Sequence, residues 1–324
     1  MTTSFRNIIL IVFLSLIANF THGQDIKPVP DTVKTGIYIN SIHNIDFKDK
    51  EYTASFWLWL KYNNPAFDFY NNLEIPMAKS VEKSFFTVDT LDDGTIYMLM
   101  KLQCVMKDSW KIDNFPFDEQ KLRISFENSQ FDAKALVFKV DTLGEHFDKR
   151  FALRGWNIDS CILESRNKIY ETGFGDESLS KPRAEYSAFR VRLSITRAAS
   201  GLFWKMFLGM YIGFLIAIVC FFIHTDGIDS RFALAVGAVF AVIGNKYIID
   251  SSLPESTSFT LVDMLHGLTL LFILGTIGAN AYSLTLIKKD KLQKANRFDH
   301  TVGKFMLALY VLLNIYFIWR ASHA

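Results

Sequence analysis

Seven residues recur at steps of three or four within one apolar stretch: Asp229, Ala233, Gly237, Phe240, Gly244, Tyr247 and Ser251. A helix places them on one face. That face carries a carboxylate at one end, small residues along it and a phenyl ring near its middle. Such a face can attract cations with its acid and exclude water at its ring. A second set lies in Phe115-Pro116-Phe117-Asp118-Glu119-Gln120. Pro116 fixes its own φ and pushes Phe117 toward a turn between two strands, so Asp118 is presented on a bulky apolar loop able to press against a membrane surface. Bond-making chemistry has no comparable support. No Cys/His cluster has metal-ligand spacing, no glycine loop could cradle a phosphate, and the scattered Ser, His and Asp residues suggest no triad. Neither an enzyme, a metal site nor a cofactor is expected.

The elements that position these residues fall into two halves. The chain has 324 residues, half of them apolar, enough for one soluble and one membrane domain, and its net charge of +2 argues against nucleic acid as a partner. From 35 to 197, short β-rich runs alternate with turn chemistry at 36–39, 53–60, 96–106, 121–126, 135–140 and 186–196. Asp92-Asp93-Gly94 is a hairpin signal, and every second residue is apolar from Phe189 to Thr196. This predicts an antiparallel β-sandwich. Four apolar runs follow at 202–223, 232–249, 259–287 and 302–319, each long enough to cross a bilayer as a helix. The fold class is therefore an all-β sandwich followed by an all-α four-helix membrane domain, with domains at 24–198 and 199–324 and helices over about 202–223, 231–250, 259–287 and 302–320.

Two charge patterns set the orientation. Residues 1–23 read as a secretory leader, with Arg6 ahead of the apolar run 8–20 and Gly23 at its end. The alternative is an uncleaved anchor, for which the run is short. Lys288, Lys289, Lys291, Lys294 and Arg297 cluster after the third run, whereas 250–258 has no basic residue. The positive-inside rule then puts the former in the cytoplasm and the sandwich outside, with the C-terminus outside as well. Of the three cysteines, Cys104, Cys161 and Cys220, the last lies in a membrane run, so at most one intrachain disulfide is expected. Asn245 and Lys246 inside the second run are costly unless they face water or a partner.

Gly36-Ile37-Tyr38, the 115–120 loop, Gly155-Trp156-Asn157-Ile158, Arg197 just before the first span, and Leu253-Pro254 after the second come in an order that resembles the pentameric ligand-gated ion channels, or Cys-loop receptors, especially their bacterial branch. The likeness covers most of the mature chain, and the Phe-Pro-Phe-Asp loop is its specific part. There are departures. Asp108 and Leu122 stand where animal receptors carry the two loop cysteines, no Trp-x-Pro-Asp/Glu motif occurs between Asn64 and Ile96, and the first span has no proline.

The resemblance implies a homopentamer in a cell membrane, the bacterial inner membrane facing the periplasm, conducting monovalent cations when a small-molecule agonist or protons act at the sandwich. The seven-residue face would become rings around the pore, with Phe240 as an apolar constriction and Asp229 as an acidic inner ring. Alternatively, Ala233 and Gly237 are small for helix packing and Phe240 faces lipid or another helix. Arg231, two residues beyond Asp229, would snorkel into the cytoplasm or pair with Asp226 or Asp229. Asp118 and Arg197 match a carboxylate and guanidinium that face each other at the domain boundary, with Asp46 as a third member and Pro116, Phe117 and Pro254 in the coupling contacts. By position, 170–185 is the hairpin over the agonist site, with Tyr170, Phe174 and Tyr186 as aromatic candidates, Phe131 opposite, and Gly173 and Gly175 lending mobility. Core packing is the competing expectation for Phe131 and Tyr186. A non-conducting membrane-anchored binding protein of the same fold is the alternative to a channel.

Overall fold

The computed structural model describes residues 29–323 apart from 149, 151–152, 178–181 and 224–227. The expected leader and Asp226 lie outside the described residues. Among the described residues nine strands come first: β1 (Asp31–Asp46), β2 (Glu51–Tyr62), β3 (Leu73–Glu74), β4 (Ala78–Thr90), β5 (Ile96–Lys107), β6 (Glu119–Asn128), β7 (Leu136–Val140), β8 (Trp156–Tyr170) and β9 (Ala184–Arg197). They form two sheets, in the orders β4-β5-β2-β1-β7 and β3-β6-β9-β8. All pairings are antiparallel except β1 with β7.

Alternation along β2, β5, β6 and β9 turns every second side chain inward. Phe56 from one sheet meets Phe126 from the other edge to face at 5.5 Å, and Phe126 stacks on Phe189 at 5.8 Å. Burying each such ring is worth about 2–3 kcal/mol, the main force joining the sheets. The Asp92-Asp93-Gly94 signal is the turn between β4 and β5, with Gly94 at φ +82°. Two strands, β4 and β8, carry no clear alternation. β4 is an edge strand, exposed at most positions and rich in charge, so no core face imprints a period on it.

Gly36 has a particular reason to be glycine. It pairs with Trp59 across β1 and β2, and a Cβ there would lie 2.3 Å from the indole. Trp59 is held in turn, because its Nε1 donates to Asp141 at 3.0 Å. Gly36→Ala is therefore expected to cost about 1–3 kcal/mol by overpacking, read as a lower thermal midpoint. An unchanged midpoint would mean that the indole shifts freely.

Helices α1 (Ala199–Val219, continued by a 3₁₀ turn Cys220–Phe222), α2 (Ile228–Asp250), α3 (Leu261–Ile287) and α4 (Leu292–Ser322) are each long and apolar enough to cross a membrane. A capping box starts α3: the Asp263 amide donates to Thr260 Oγ1 at 3.3 Å, and the Thr260 amide donates to Asp263 Oδ2 at 3.0 Å. α4 begins at Leu292, ten residues ahead of its apolar run, because Ala295, Asp299 and Gly303 carry its buried face back toward its start. Close approach uses small residues. Gly213 of α1 lies against Val242 of α2, where a Cβ would sit 2.8 Å away, and Gly303 of α4 lies against Phe221.

Candidate functional site

The loop between β5 and β6 holds the sandwich against the helices. At its base, Arg123 pairs with the buried carboxylate of Asp108, and the Gln120 side chain bonds both the amide and the carbonyl of Lys111 at 3.1 and 2.7 Å. An ion pair and an amide thus close the loop at its base. Cys104, Cys161 and Cys220 are all free thiols, and burial pushes the Cys104 thiol up to about 12. The tip reaches the membrane domain in two places. Phe117 packs on Phe203 of α1 at 5.6 Å. Asp113 accepts from the Ser258 hydroxyl, and its carbonyl takes the amide of Leu261, the first residue of α3, at 2.8 Å. Pro254, in the α2–α3 connection, is buried.

Asp118 and Arg197 meet at the centre of this boundary. Arg197 Nε donates to Asp118 Oδ1 at 2.6 Å and Nη2 to Oδ2 at 3.1 Å, a two-pronged contact with both side chains largely buried. Gln120 adds a third donor to Asp118 at 2.7 Å. Asp46 does not join them. It borders the same cavity of about 620 Å³ as Arg197, but its carboxylate accepts the Asp49 amide at 2.8 Å in its own turn. Aromatic rings take the third place instead. The Arg197 guanidinium lies 4.0 Å from the Trp156 centroid, 4.7 Å from Phe47 and 4.9 Å from Phe115. Their faces offset part of the hydration that a buried cation loses. Trp156 and Phe115 stood in sequence motifs, but nothing in the pattern around Phe47 marked it.

On α2 the seven-residue face is exposed throughout, and the buried residues Arg231, Ala235, Ala238, Val242 and Ile249 lie on the opposite side of the helix. Phe240 is 71% exposed in the isolated chain. A Cβ on Gly237 or Gly244 would meet nothing within 4 Å, so neither glycine serves packing inside the subunit. Asn245 and Lys246 point away from this face. Asn245 donates to the Met206 carbonyl of α1 at 3.0 Å, and its Oδ1 lies 3.1 Å from His266 of α3. Lys246 bridges Asp250 at 2.6 Å and Asp263 at 2.8 Å. These two polar residues fasten α2 to its neighbours. Arg231 neither snorkels outward nor turns to Asp229; it is buried and reaches Asp299 of α4 at 2.8 Å. The backbone geometry explains this, since Arg231 sits across the helix from Asp229 and shares a face with the packed residues.

At the hairpin, Tyr170, Phe174 and Tyr186 form one cluster with centroids 5.3, 5.9 and 6.3 Å apart. Tyr170 donates to the buried Glu127 at 2.7 Å, and burial followed by this carboxylate raises its phenol pKa. Lys168 lies over the Tyr170 ring at 4.4 Å. Phe174 and Gly175 both have positive φ, whereas Gly173 does not. Phe131 stands apart from the cluster. It packs edge-on against Phe67 at 4.8 Å, beside the core, and borders with Tyr186 a polar cavity of about 640 Å³. Glu127 escaped the sequence reading because a Glu in an alternating strand reads as an outward charge.

No protein-family profile matches the chain. It is similar to pH-sensitive chloride channel 2 of Drosophila melanogaster, 22% identical over 298 residues that cover 83% of this chain and 56% of that protein. It is also similar to the human gamma-aminobutyric acid receptor subunit gamma-3, 18% identical over 276 residues, 78% of this chain and 57% of that one. A proton-gated ion channel of Gloeobacter violaceus is 23% identical over 266 residues, 74% of this chain and 70% of that channel. The chain thus spans a little over half the length of the first two relatives. With a two-sheet sandwich, a Phe-Pro-Phe-Asp loop on the first membrane helix and four spanning helices in this order, the chain resembles the pentameric ligand-gated ion channels in architecture as well as in sequence.

Proposed function

We propose that five copies of this chain form a ligand-gated ion channel that prefers cations and opens in response to a signal at the sandwich, which lies outside the cytoplasm. The carrying observation is the exposed face of α2, which sits opposite its packing face and runs from Asp229 past Phe240 to Ser251. Around a fivefold axis this face lines the lumen, Asp229 forms an acidic inner ring and Phe240 a dewettable constriction. Assembly would also cover the exposed apolar residues Val81, Phe85, Phe86 and Val88 on the two faces of edge strand β4, which a lone soluble domain has reason to avoid.

One relative is named a chloride channel, but this chain's own residues favour cations. Asp229 is exposed on the proposed lumen face, and the nearby Arg231 is directed away from it. For the signal, protons have the better support. Tyr170, Phe174 and Tyr186 contact one another edge to face, and two relatives are named for pH sensitivity or proton gating.

Recordings from the purified full chain in bilayers test this reading. Steps to lower pH are expected to evoke currents whose reversal potential follows the cation gradient. A correctly assembled pentamer that stays silent across pH and a panel of amines would favour the non-conducting alternative. In a salt gradient, Asp229→Ala is expected to move the reversal potential toward the anion value, by a several-fold loss of cation preference. A reversal potential that does not move would take Asp229 out of the selectivity ring.

A further inference from the structure

Arg231 is a cation at the start of the proposed pore helix, two residues from the acid proposed to select cations. Its placement is specific. The guanidinium is turned into the far end of the bundle, away from the sandwich, where Nη1 donates to Asp299 Oδ2 at 2.8 Å and Nη2 to the Ile223 carbonyl at 2.5 Å. Both side chains are about 95% buried or more. The thiol of Cys220 donates to the Arg231 carbonyl at 3.1 Å, holding the backbone from the same side. Asp299 belongs to α4, the helix least buried in the bundle, and this ion pair carries α4 across to the pore helix.

The pair is strong but incompletely satisfied. Arg231 Nε and Asp299 Oδ1 are buried without a hydrogen-bond partner among the described residues, as are both amide atoms of Asn280 and the hydroxyl of Ser283. The Tyr282–Phe298 ring contact at 4.9 Å sets the register of α3 against α4 and puts Asn280 and Asp299 at about the same level. With hydrogen-bond capacity to spare around it, the guanidinium is held in place chiefly by the Asp299 charge. A buried charge that loses its counter-charge is strongly unfavourable, and a long arginine can carry its head to water. The attraction of Asp229 for Arg231, across the helix and through solvent, is weak beside a buried contact at 2.8 Å.

We propose that Asp299 is a positioning residue for ion selectivity: by holding Arg231 inside the bundle, the outermost helix keeps a positive charge out of the pore mouth. Removing the Asp299 charge would release five guanidinium groups beside the Asp229 ring and cancel much of its field. This rests on the pore-face reading of α2, so the test uses a readout that needs no current.

In the full chain in lipid nanodiscs, Asp229→Cys supplies a thiol at the mouth. Its rates of modification by a cationic and an anionic methanethiosulfonate, read by peptide mass spectrometry, report the local potential. Adding Asp299→Asn is expected to raise the anionic-to-cationic rate ratio on the order of fivefold at physiological salt. Further adding Arg231→Gln should return the ratio to its starting value. An unchanged ratio in Asp299→Asn overturns the proposal, as does a thiol that neither reagent reaches. If Asp299→Asn does not assemble, the neutral pair Arg231→Gln with Asp299→Asn decides against the parent. Equal ratios support the proposal, and a lower ratio in the neutral pair shows that Arg231 already stood at the mouth. A chain that shows the ratio shift but passes no current keeps this device and loses the channel reading instead.

Discussion

Arg197→Ala is expected to leave an assembled protein that needs at least about tenfold more agonist to open, or that no longer opens. The side chain sits where β9 runs into α1, and it holds the β5–β6 loop through the two-pronged contact to Asp118 at 2.6 and 3.1 Å. That loop touches α1 through Phe117 and the start of α3 through Asp113. A rearrangement of the sandwich can therefore reach the bundle through this side chain. Truncation leaves the Asp118 carboxylate buried with, among the described residues, Gln120 as its remaining side-chain donor, at a cost of about 3–5 kcal/mol for a broken buried pair. It also empties the space among Phe47, Phe115 and Trp156. Arg197→Lys is informative because an ammonium keeps the charge but makes neither the planar two-pronged contact nor the same stacking on rings. It should fall between wild type and alanine. Asp118→Asn should resemble the alanine variant, and the double change should cost less than the sum of the singles. Pentamer assembled in normal amounts with unchanged dose–response curves in all these variants would remove the coupling role.

Much of this boundary was legible in the sequence because its chemistry is local. Pro116 and the two phenylalanines mark an apolar turn wherever the chain goes, and a helix period of 3.6 puts Asp229, Phe240 and Ser251 on one face before any packing is known. What could not be read depends on contacts between distant segments. Arg231 was expected to snorkel outward or to meet an acid near it in sequence, yet it is buried against Asp299 on another helix. Which face of α2 is buried decides the matter, and on α1 that face is received by Gly213, against Val242, and by Gly209, against Asn245. Asp46 and Phe47 are adjacent, and the strand-end geometry turns the ring rather than the carboxylate toward Arg197. Strand β4 hid for a different reason. Most of its side chains are exposed in the isolated chain, so its sequence records an edge rather than an alternation.

Phe240→Ser is expected to raise the current of the resting channel or its agonist sensitivity on the order of tenfold, because the side chain is proposed to close the pore by keeping water out. Phe240 lies near the middle of α2 and is 71% exposed in the isolated chain, on the face that carries Gly237 and Gly244. Neither glycine has a neighbour within reach of a Cβ, so the wall around the ring is open on both sides. Five phenyl groups facing one another across a narrow lumen would form an apolar collar, and a hydroxyl at each position gives water a partner and lowers the cost of filling it. The change removes no contact that holds α2 to α1 or α3, which are made by Ala235, Ala238, Val242 and Asn245 on the other side. Assembly should therefore persist, which separates this outcome from a general loss of packing. Phe240→Leu, apolar but smaller, should stay closed at rest. If Phe240 instead faces lipid or a neighbouring subunit, serine would lower the yield of assembled pentamer while the current per pentamer stays the same. That result would remove Phe240 from the gate, and with it the assignment of this face of α2 to the lumen.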